Sequence, residues 1–132
     1  MLDARSARRQ PDRAIDWARD DTARILARIR AADGFPGVAD ALFGQPCHLF
    51  DAHPAAPEPG ATPGQLIARR DGAVLRATRD GALWIGHVKR PGGIKLPATV
   101  AFAAEVASLP ERPAPLMRDA AEILLDTAEP EQ

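Results

Sequence analysis

The side chains capable of catalytic chemistry are few in this sequence of 132 residues, and their spacing does not assemble a catalytic set. Cys47 and His48 are neighbours, and successive residues of a strand point to opposite faces, so we do not expect a nucleophile–base pair. His48, Asp51 and His53 have spacings that divide them between both faces of an extended strand, which is poor geometry for a metal ion. The sequence therefore predicts no catalytic residue and no metal ligand at this strand.

The remaining His, Ser and Gly residues give no stronger signal. His87 has no partner that the sequence identifies, and Ser6 and Ser108 lie in poor settings for a catalytic triad. Gly92-Gly93 is typical of a turn and is not a nucleotide-binding fingerprint. We therefore expect no cofactor to be bound by this chain.

The one constellation that suggests binding is basic. Seven bases against two acids give residues 69–95 a net charge of +5, whereas residues 96–132 hold seven acids against two bases. A basic segment attracts phosphate groups, but solvated turn charges explain it as well, and the acidic end of the chain could fold over it. The seven bases are Arg69, Arg70, Arg76, Arg79, Lys89, Arg90 and Lys95.

Composition places the chain among small globular domains, with 45% hydrophobic and 27% charged residues. The single cysteine excludes an internal disulfide framework and a multi-cysteine zinc site, and it fits a reducing compartment. No window approaches the roughly 18 apolar residues that a membrane helix needs. We therefore expect a cytoplasmic protein that has no membrane partner.

An amphipathic helix is predicted after Trp17, with Asp20 and Asp21 capping its first turn and Asp33-Gly34 ending it. The next segment, residues 38–43, is short and ambiguous, and one or two helical turns are the expectation there. The apolar face of the helix is expected to hold Ile25, Leu26, Ile29 and Ala32.

Strands are predicted from residue 46, where a first run ends at residue 53 and a proline-rich loop follows over residues 54–64. Three further runs are joined by Asp71-Gly72 and Asp80-Gly81, and Asp-Gly pairs supply the positive φ of tight hairpin turns. Apolar residues occur at both odd and even positions of these runs, so both faces of the strands are partly apolar. This pattern favours a strongly coiled small barrel with a helix packed outside it. The three runs are residues 65–70, 73–78 and 82–89.

The ends of the chain are expected to differ from its centre. Residues 1–14 lack periodicity and are interpreted as a flexible lead-in, and residues 110–132 as an acidic helical tail with a disordered end. A helix is predicted over residues 97–106, and a second short one over residues 116–125. Together the elements predict an α+β, mainly β fold: a small OB-like antiparallel barrel with an N-terminal packing helix and C-terminal helices.

Several short segments carry family information through their order: Ile15-Asp16-Trp17, Ile25, Ile29-Arg30-Ala31, Pro36-Gly37, Gly44, Pro63-Gly64 and Asp80-Gly81. Their order and spacing resemble the C-terminal domain of the formyltransferase family, of which methionyl-tRNA formyltransferase is the familiar member. The resemblance spans residues 15 to about 95. It implies an OB-type domain over residues 15–109.

Four longer segments resemble a narrower group: residues 31–38 (AADGFPGV), 49–53 (LFDAH), 84–87 (WIGH) and 94–99 (IKLPAT). They are similar to HypX/HoxX-type hydrogenase maturation proteins. The resemblance implies a three-part protein in which a formyl-tetrahydrofolate-using formyltransferase part and an enoyl-CoA-hydratase-like part are joined by the barrel that corresponds to this chain. Through formyl-CoA, such a protein is expected to make the carbon monoxide of the nickel–iron hydrogenase active site.

The family's catalytic Asn, His and Asp lie in its N-terminal domain and have no counterpart here, so the resemblance implies a chain that is not an enzyme on its own. It implies a linker or docking module whose partners are formyltransferase-like and enoyl-CoA-hydratase-like domains or chains. Formyl-tetrahydrofolate and coenzyme A belong to those partners. The alternative is a tRNA- or nucleic-acid-binding module with RNA as its partner. The expected docking residues are Arg76, Lys89, Arg90, Lys95, Leu96 and Pro97.

Overall fold

The computed structural model of the protein describes residues 14–34 and 36–112. An antiparallel sheet forms most of this part and confirms the predicted α+β, mainly β class. The helices are α1 (Thr22–Ala31), α2 (Ala98–Ala101) and α3 (Ala103–Val106). The strands are β1 (Val38–Leu42), β2 (Gln45–Ala55), β3 (Leu66–Arg70), β4 (Ala73–Ala77), β5 (Ala82–Lys89) and β6 (Lys95–Pro97).

Some expectations fall outside the described residues. The predicted lead-in is described only at residue 14, the acidic tail only at residues 110–112, and the second C-terminal helix not at all. These remain predictions. In the described part of the chain, no helix is both long enough and apolar enough to cross a bilayer.

The sheet is built around β5. Its strand order is β1-β2-β5-β4-β3, and β6 pairs with β5 beside this path. All of these pairings are antiparallel. Among the described residues no backbone ladder joins β1 to β3, so the barrel-like sheet stays open between its two outermost strands.

Both faces of the sheet are covered. On one face α1 buries Ile25 and Ile29 completely, in a cluster with Leu49 of β2 and Ile85 of β5. This agrees with the apolar residues that occur on both parities of the strands. A smaller cluster buries the other face and consists of Ala68, Leu75, Ala82 and Trp84.

Polar contacts attach the start of α1 to the turn between β4 and β5. Asp21 caps the helix by accepting a hydrogen bond from the backbone N–H of Arg24 at 2.8 Å. Thr22 donates its backbone N–H and its hydroxyl to Asp80 Oδ1, at 2.9 and 2.6 Å. The φ of Gly81 lies outside the left-handed region, and a Cβ there would lie 2.8 Å from Thr22 Oγ1. The expectation of positive φ was wrong at this glycine, whose small size serves the close approach of the helix.

Residues 38–43 form strand β1 and the start of a hairpin turn, so the expectation of helical turns was wrong. Phe43 and Gly44 have φ of 54° and 75°, which is the geometry of a two-residue hairpin turn, and Leu42 pairs with Gln45 across it. The local pattern hides this turn because a bulky residue such as Phe43 rarely adopts positive φ. Pairing with β2 therefore decides the conformation of the segment.

The helix predicted over residues 97–106 is divided. Residues 95–97 instead pair with β5 as β6, where Leu96 lies opposite Val88. The helical turns that follow are interrupted at Phe102, whose φ of −122° and ψ of 44° are not helical. Phe102 is completely buried, and its ring centroid lies 5.6 Å from that of Phe43. Burial of this ring accompanies the break in the helix.

We expect Gly37 to be more sensitive to substitution than Gly44, although both have positive φ. A Cβ on Gly37 would overlap the Phe50 ring, whereas a Cβ on Gly44 has no heavy atom within 4 Å. Gly44→Ala should cost about 1–2 kcal/mol of unfolding free energy for the left-handed backbone. Gly37→Ala should cost roughly 1–3 kcal/mol more because it also overpacks the core. Urea denaturation measures both variants, and equal losses would contradict the packing of Gly37 on Phe50.

Candidate functional site

Three polar side chains from two neighbouring strands, β2 and β5, meet at one place on the sheet. His53 Nε2 lies 2.7 Å from Asp51 Oδ1, and His87 Nδ1 lies 2.9 Å from Asp51 Oδ2. The sequence analysis divided His48, Asp51 and His53 between two faces of the strand, and of these three it is Asp51 and His53, which are two residues apart, that come together. β5 runs beside β2 and supplies His87, whose partner the sequence did not reveal.

The backbone around Asp51 is arranged to present its carboxylate. The φ of Asp51 is 62°, in the left-handed region that aspartate tolerates better than most residues. Its backbone N–H donates to Asp33 Oδ1 at 2.8 Å. A Cβ on Gly86 would overlap the Asp51 side chain, so the bare backbone of β5 provides the space that this carboxylate occupies. Such backbone outliers are concentrated at functional sites.

Opposing effects set the pKa of Asp51. Burial by itself would raise the pKa of Asp51, but hydrogen bonds from His53 and His87, together with the charges of both rings, lower it below the ordinary 3.8. The carboxylate is therefore ionised at neutral pH. It engages one nitrogen of each ring and leaves the other nitrogen of each ring free to meet a ligand.

The three side chains line an open cleft of about 340 Å³. Trp84 forms an apolar wall, and the guanidinium of Arg70 lies 4.0 Å from the centroid of the Trp84 ring. Pro97 of β6 closes another side. Three of the four segments on which the narrower resemblance rests, 49–53, 84–87 and 94–99, contribute to this lining.

The described part of the chain offers no activated cysteine nucleophile and no cluster of metal ligands. Cys47 is buried, and burial together with the nearby Asp40 raises its pKa to about 11. Its thiol therefore stays protonated and is a poor nucleophile at neutral pH. Within residues 14–34 and 36–112, no group of three or more His, Cys, Asp or Glu side chains has an arrangement that could hold a metal ion.

Among the expected docking residues, Arg76 lies inside the fold. Its guanidinium lies 4.0 Å from the centroid of the Trp17 ring, and it donates to the carbonyls of Gly64 and Ala41 at 2.9 and 3.0 Å. Asp40 Oδ2 lies 3.5 Å from Arg76 Nη1. Burial lowers the pKa of Arg76 below its ordinary value, whereas Asp40 acts in the opposite direction. Arg76 thus joins parts of this domain to one another, and its docking role stays a prediction.

The other expected docking residues lie near β6. Arg90 donates to the carbonyl of Ala101 at 2.9 Å and to the side chain of Gln45, and its guanidinium lies 4.5 Å from the Phe102 ring. The Lys95 ammonium lies 4.5 Å from the Phe50 ring. The remaining three, which are partly exposed, are Lys89, Leu96 and Pro97.

Two large exposed apolar side chains flank these residues in the sequence. Ile94 is 70% exposed and Val100 is 56% exposed. They lie on either side of β6 in the sequence. We call Ile94, Lys95, Leu96, Pro97 and Val100 together the β6 ridge.

Comparisons with known proteins agree with the resemblance. Residues 8–105 match the family described as formyl transferase, C-terminal domain. The chain is 56% identical over 107 residues to the hydrogenase maturation factor HoxX of Bradyrhizobium diazoefficiens, covering 80% of this chain and 19% of HoxX. It is 38% identical over 86 residues to methionyl-tRNA formyltransferase of Burkholderia vietnamiensis, covering 64% of this chain and 26% of that enzyme.

A solved structure shows the same fold. The crystal structure of HypX from Aquifex aeolicus in complex with tetrahydrofolic acid matches with a TM-score of 0.70 and 35% identity, over 76% of this chain and 18% of that chain. The present chain thus spans about a fifth of the length of the hydrogenase maturation proteins that it matches.

The arrangement around Asp51 predicts a pH-dependent effect of Asp51→Asn. Because the pKa of folded Asp51 lies below 3.8, its ionised form stabilises the fold above that pH, and this contribution is lost as the pH falls through the folded pKa. The variant should therefore be less stable than the parent at about pH 7, and the difference should shrink towards about pH 2. Urea denaturation of both chains at a series of pH values measures this difference.

Asp71→Asn provides the matched control. Asp71 also has positive φ, 52°, and among the described residues its carboxylate has no hydrogen-bond or ion-pair partner. Its stability should follow that of the parent at every pH. A difference between Asp51→Asn and the parent that does not change with pH would contradict the bonding of Asp51 to His53 and His87.

Proposed function

The chain belongs to the formyl transferase C-terminal domain family, and we propose that it is the non-catalytic linker and docking domain of a HypX/HoxX-type hydrogenase maturation protein. The observation that carries this proposal is the 56% identity with HoxX over 107 residues, against 38% over 86 residues with methionyl-tRNA formyltransferase. Because the chain spans 19% of HoxX, the catalytic groups are assigned to other parts of the longer protein.

In this proposal the domain holds a formyltransferase-like part and an enoyl-CoA-hydratase-like part in a fixed position relative to each other. Formyl-tetrahydrofolate and coenzyme A are substrates of those parts, which together supply carbon monoxide for the nickel–iron active site through formyl-CoA. The cytoplasm is the proposed location. The lack of a reactive nucleophile at Cys47 supports a role in positioning and not in catalysis.

The β6 ridge is the proposed docking surface. Exposed apolar side chains of this size mark interaction surfaces when they are grouped, and Ile94 and Val100 flank the same short strand. The nearby bases Lys89 and Lys95 would favour a partner surface that is apolar at its centre and acidic at its rim. Four-fifths of HoxX lies outside the matched region, and the proposed partner surface belongs to that part of the longer protein.

RNA binding, as the similarity to methionyl-tRNA formyltransferase suggests, is the alternative. In the described residues, four of the seven basic side chains of residues 69–95 make hydrogen bonds or ion pairs within their own domain, Arg70 and Lys95 lie against aromatic rings, and Lys89 has neither kind of contact. A track of phosphates needs bases that are free to neutralise them. The internal contacts join Arg69 to Leu109, Arg70 to Trp84, Arg76 to Ala41, Arg79 to Asp21, Arg90 to Ala101 and Lys95 to Phe50.

A chimera tests the docking role. The matching segment of HoxX is replaced by this chain, and hydrogenase activity is measured in cells that lack their own HoxX. We expect Ile94→Asp combined with Val100→Asp to lower activity about tenfold or more, because charge at the centre of an apolar contact removes well over 1 kcal/mol of binding. Ala56→Asp, at an exposed position in the loop after β2, is the matched control and should leave activity unchanged.

Experiments on the isolated chain distinguish the docking role from RNA binding. The chain should show no formyltransferase turnover, and it should not bind tRNA at low salt. Normal activity of the Ile94→Asp, Val100→Asp chimera would contradict the docking surface. Binding of tRNA that weakens steeply with added salt would favour the RNA-binding alternative.

A further inference from the structure

The cleft beside Asp51 contains hydrogen-bond donors that the packing of the domain does not use. The guanidinium of Arg70 lies over Trp84, and within the described residues its N–H groups make no hydrogen bond or ion pair. Stacking on an aromatic ring holds such a guanidinium in place while its donors stay open, and their fork matches the oxygens of a carboxylate or phosphate. We propose that this cleft is a binding site for the oxyanion group of a small ligand.

The histidines complete this donor set. Both oxygens of Asp51 are engaged, one by His53 and one by His87, at 2.7 and 2.9 Å. The carboxylate lines the cleft, but both of its oxygens are occupied in orienting the two rings. A ring that donates one N–H to a carboxylate offers its second nitrogen outward, and in the protonated ring that nitrogen is also a donor. Three donors of different origin thus line one cleft.

Charge in the cleft makes this binding depend on protonation. With both imidazoles neutral, one positive side chain faces two carboxylates, and the balance is unfavourable for an anion. With both imidazoles protonated, three positive groups face the same two carboxylates. Binding of an oxyanion should therefore take up protons. The charged and titratable groups that face the cleft or contact Asp51 are Arg70 and Asp71 from the β3–β4 turn, Asp51 and His53 from β2, His87 from β5, and Asp33 after α1.

The walls of the cleft are held in position before any ligand arrives. Thr99 donates its backbone N–H to the carbonyl of Gly72 and its hydroxyl to the carbonyl of Asp71, both at 3.0 Å. These bonds fasten the turn that follows Arg70 to the start of α2. A Cβ on Gly72 would lie 3.0 Å from the Pro97 Cβ, so turn and β6 are in close contact. Preorganised donors lose little freedom on binding, which favours affinity for a small group.

Sulfate is the first probe because it stays doubly charged across the range in which imidazole titrates. The 132-residue chain is titrated at constant ionic strength, and the side-chain NMR signals of its three histidines are followed. We expect saturable shifts of His53 and His87 at about pH 6 and at least about tenfold weaker binding at about pH 8. His48 does not line the cleft, so its signal reports non-specific effects. Acetate is titrated in parallel to test for a carboxylate ligand.

The two Asp-Gly turns supply matched arginine variants, because Arg70 and Arg79 precede the same three residues, Asp-Gly-Ala. Arg70→Gln should weaken binding about tenfold, the scale of one lost charge-assisted contact, and Arg79→Gln should leave it unchanged. Arg70→Lys retains the positive charge but lacks the paired N–H donors of the guanidinium, so its affinity for the anion should lie between those of the two Gln variants. The proposal is overturned if neither anion gives saturable shifts at the lower pH, if His48 shifts in parallel, or if both Gln variants weaken binding equally.

Discussion

The largely buried guanidinium of Arg76, whose side chain is 14% exposed, connects the two outer parts of this sheet where backbone pairing does not. It extends from β4 to the carbonyl of Ala41 in β1, to the carbonyl of Gly64 before β3, and to the ring of Trp17 ahead of α1. Asp40 supplies the opposite charge and also accepts a 2.6 Å hydrogen bond from the Trp17 indole. A buried charge that loses its partner costs about 3–5 kcal/mol, so these contacts constrain the domain strongly.

The position of β1 is linked through strand pairing to the strands that carry the proposed functional surfaces. β1 pairs along β2, and β2 pairs along β5, which in turn carries β6. The carboxylate of Asp51 and the ring of His87 meet only because this order sets β2 beside β5. The domain therefore uses much of its charge internally, as a framework, and presents two features outward: the β6 ridge and the cleft beside Asp51. The proposed linker role needs such rigidity more than it needs chemistry of the domain's own.

The sequence predicts elements whose determinants are local, and it misses those determined by pairing. α1 was predictable because the Asp21 cap and the apolar spacing lie within a few residues of one another. Strand β1 was not, since its turn depends on an unusual positive φ at Phe43. The contact between His87 and Asp51 depends on the β2–β5 register, and no local pattern encodes a register between strands that are 36 residues apart. The spacing of Asp51 and His53 was the one local signal for this site. In the sequence, Arg76 cannot be distinguished from a surface arginine.

A double-mutant cycle between Arg76 and Asp40 tests the framework most directly. Arg76→Gln, Asp40→Asn and the combined variant are compared with the parent by urea denaturation at neutral pH. If the pair joins β4 to β1 as described, the losses of unfolding free energy will be non-additive, with a coupling of about 1–3 kcal/mol. Losses that simply add would show that the two side chains act independently, and this would contradict the account.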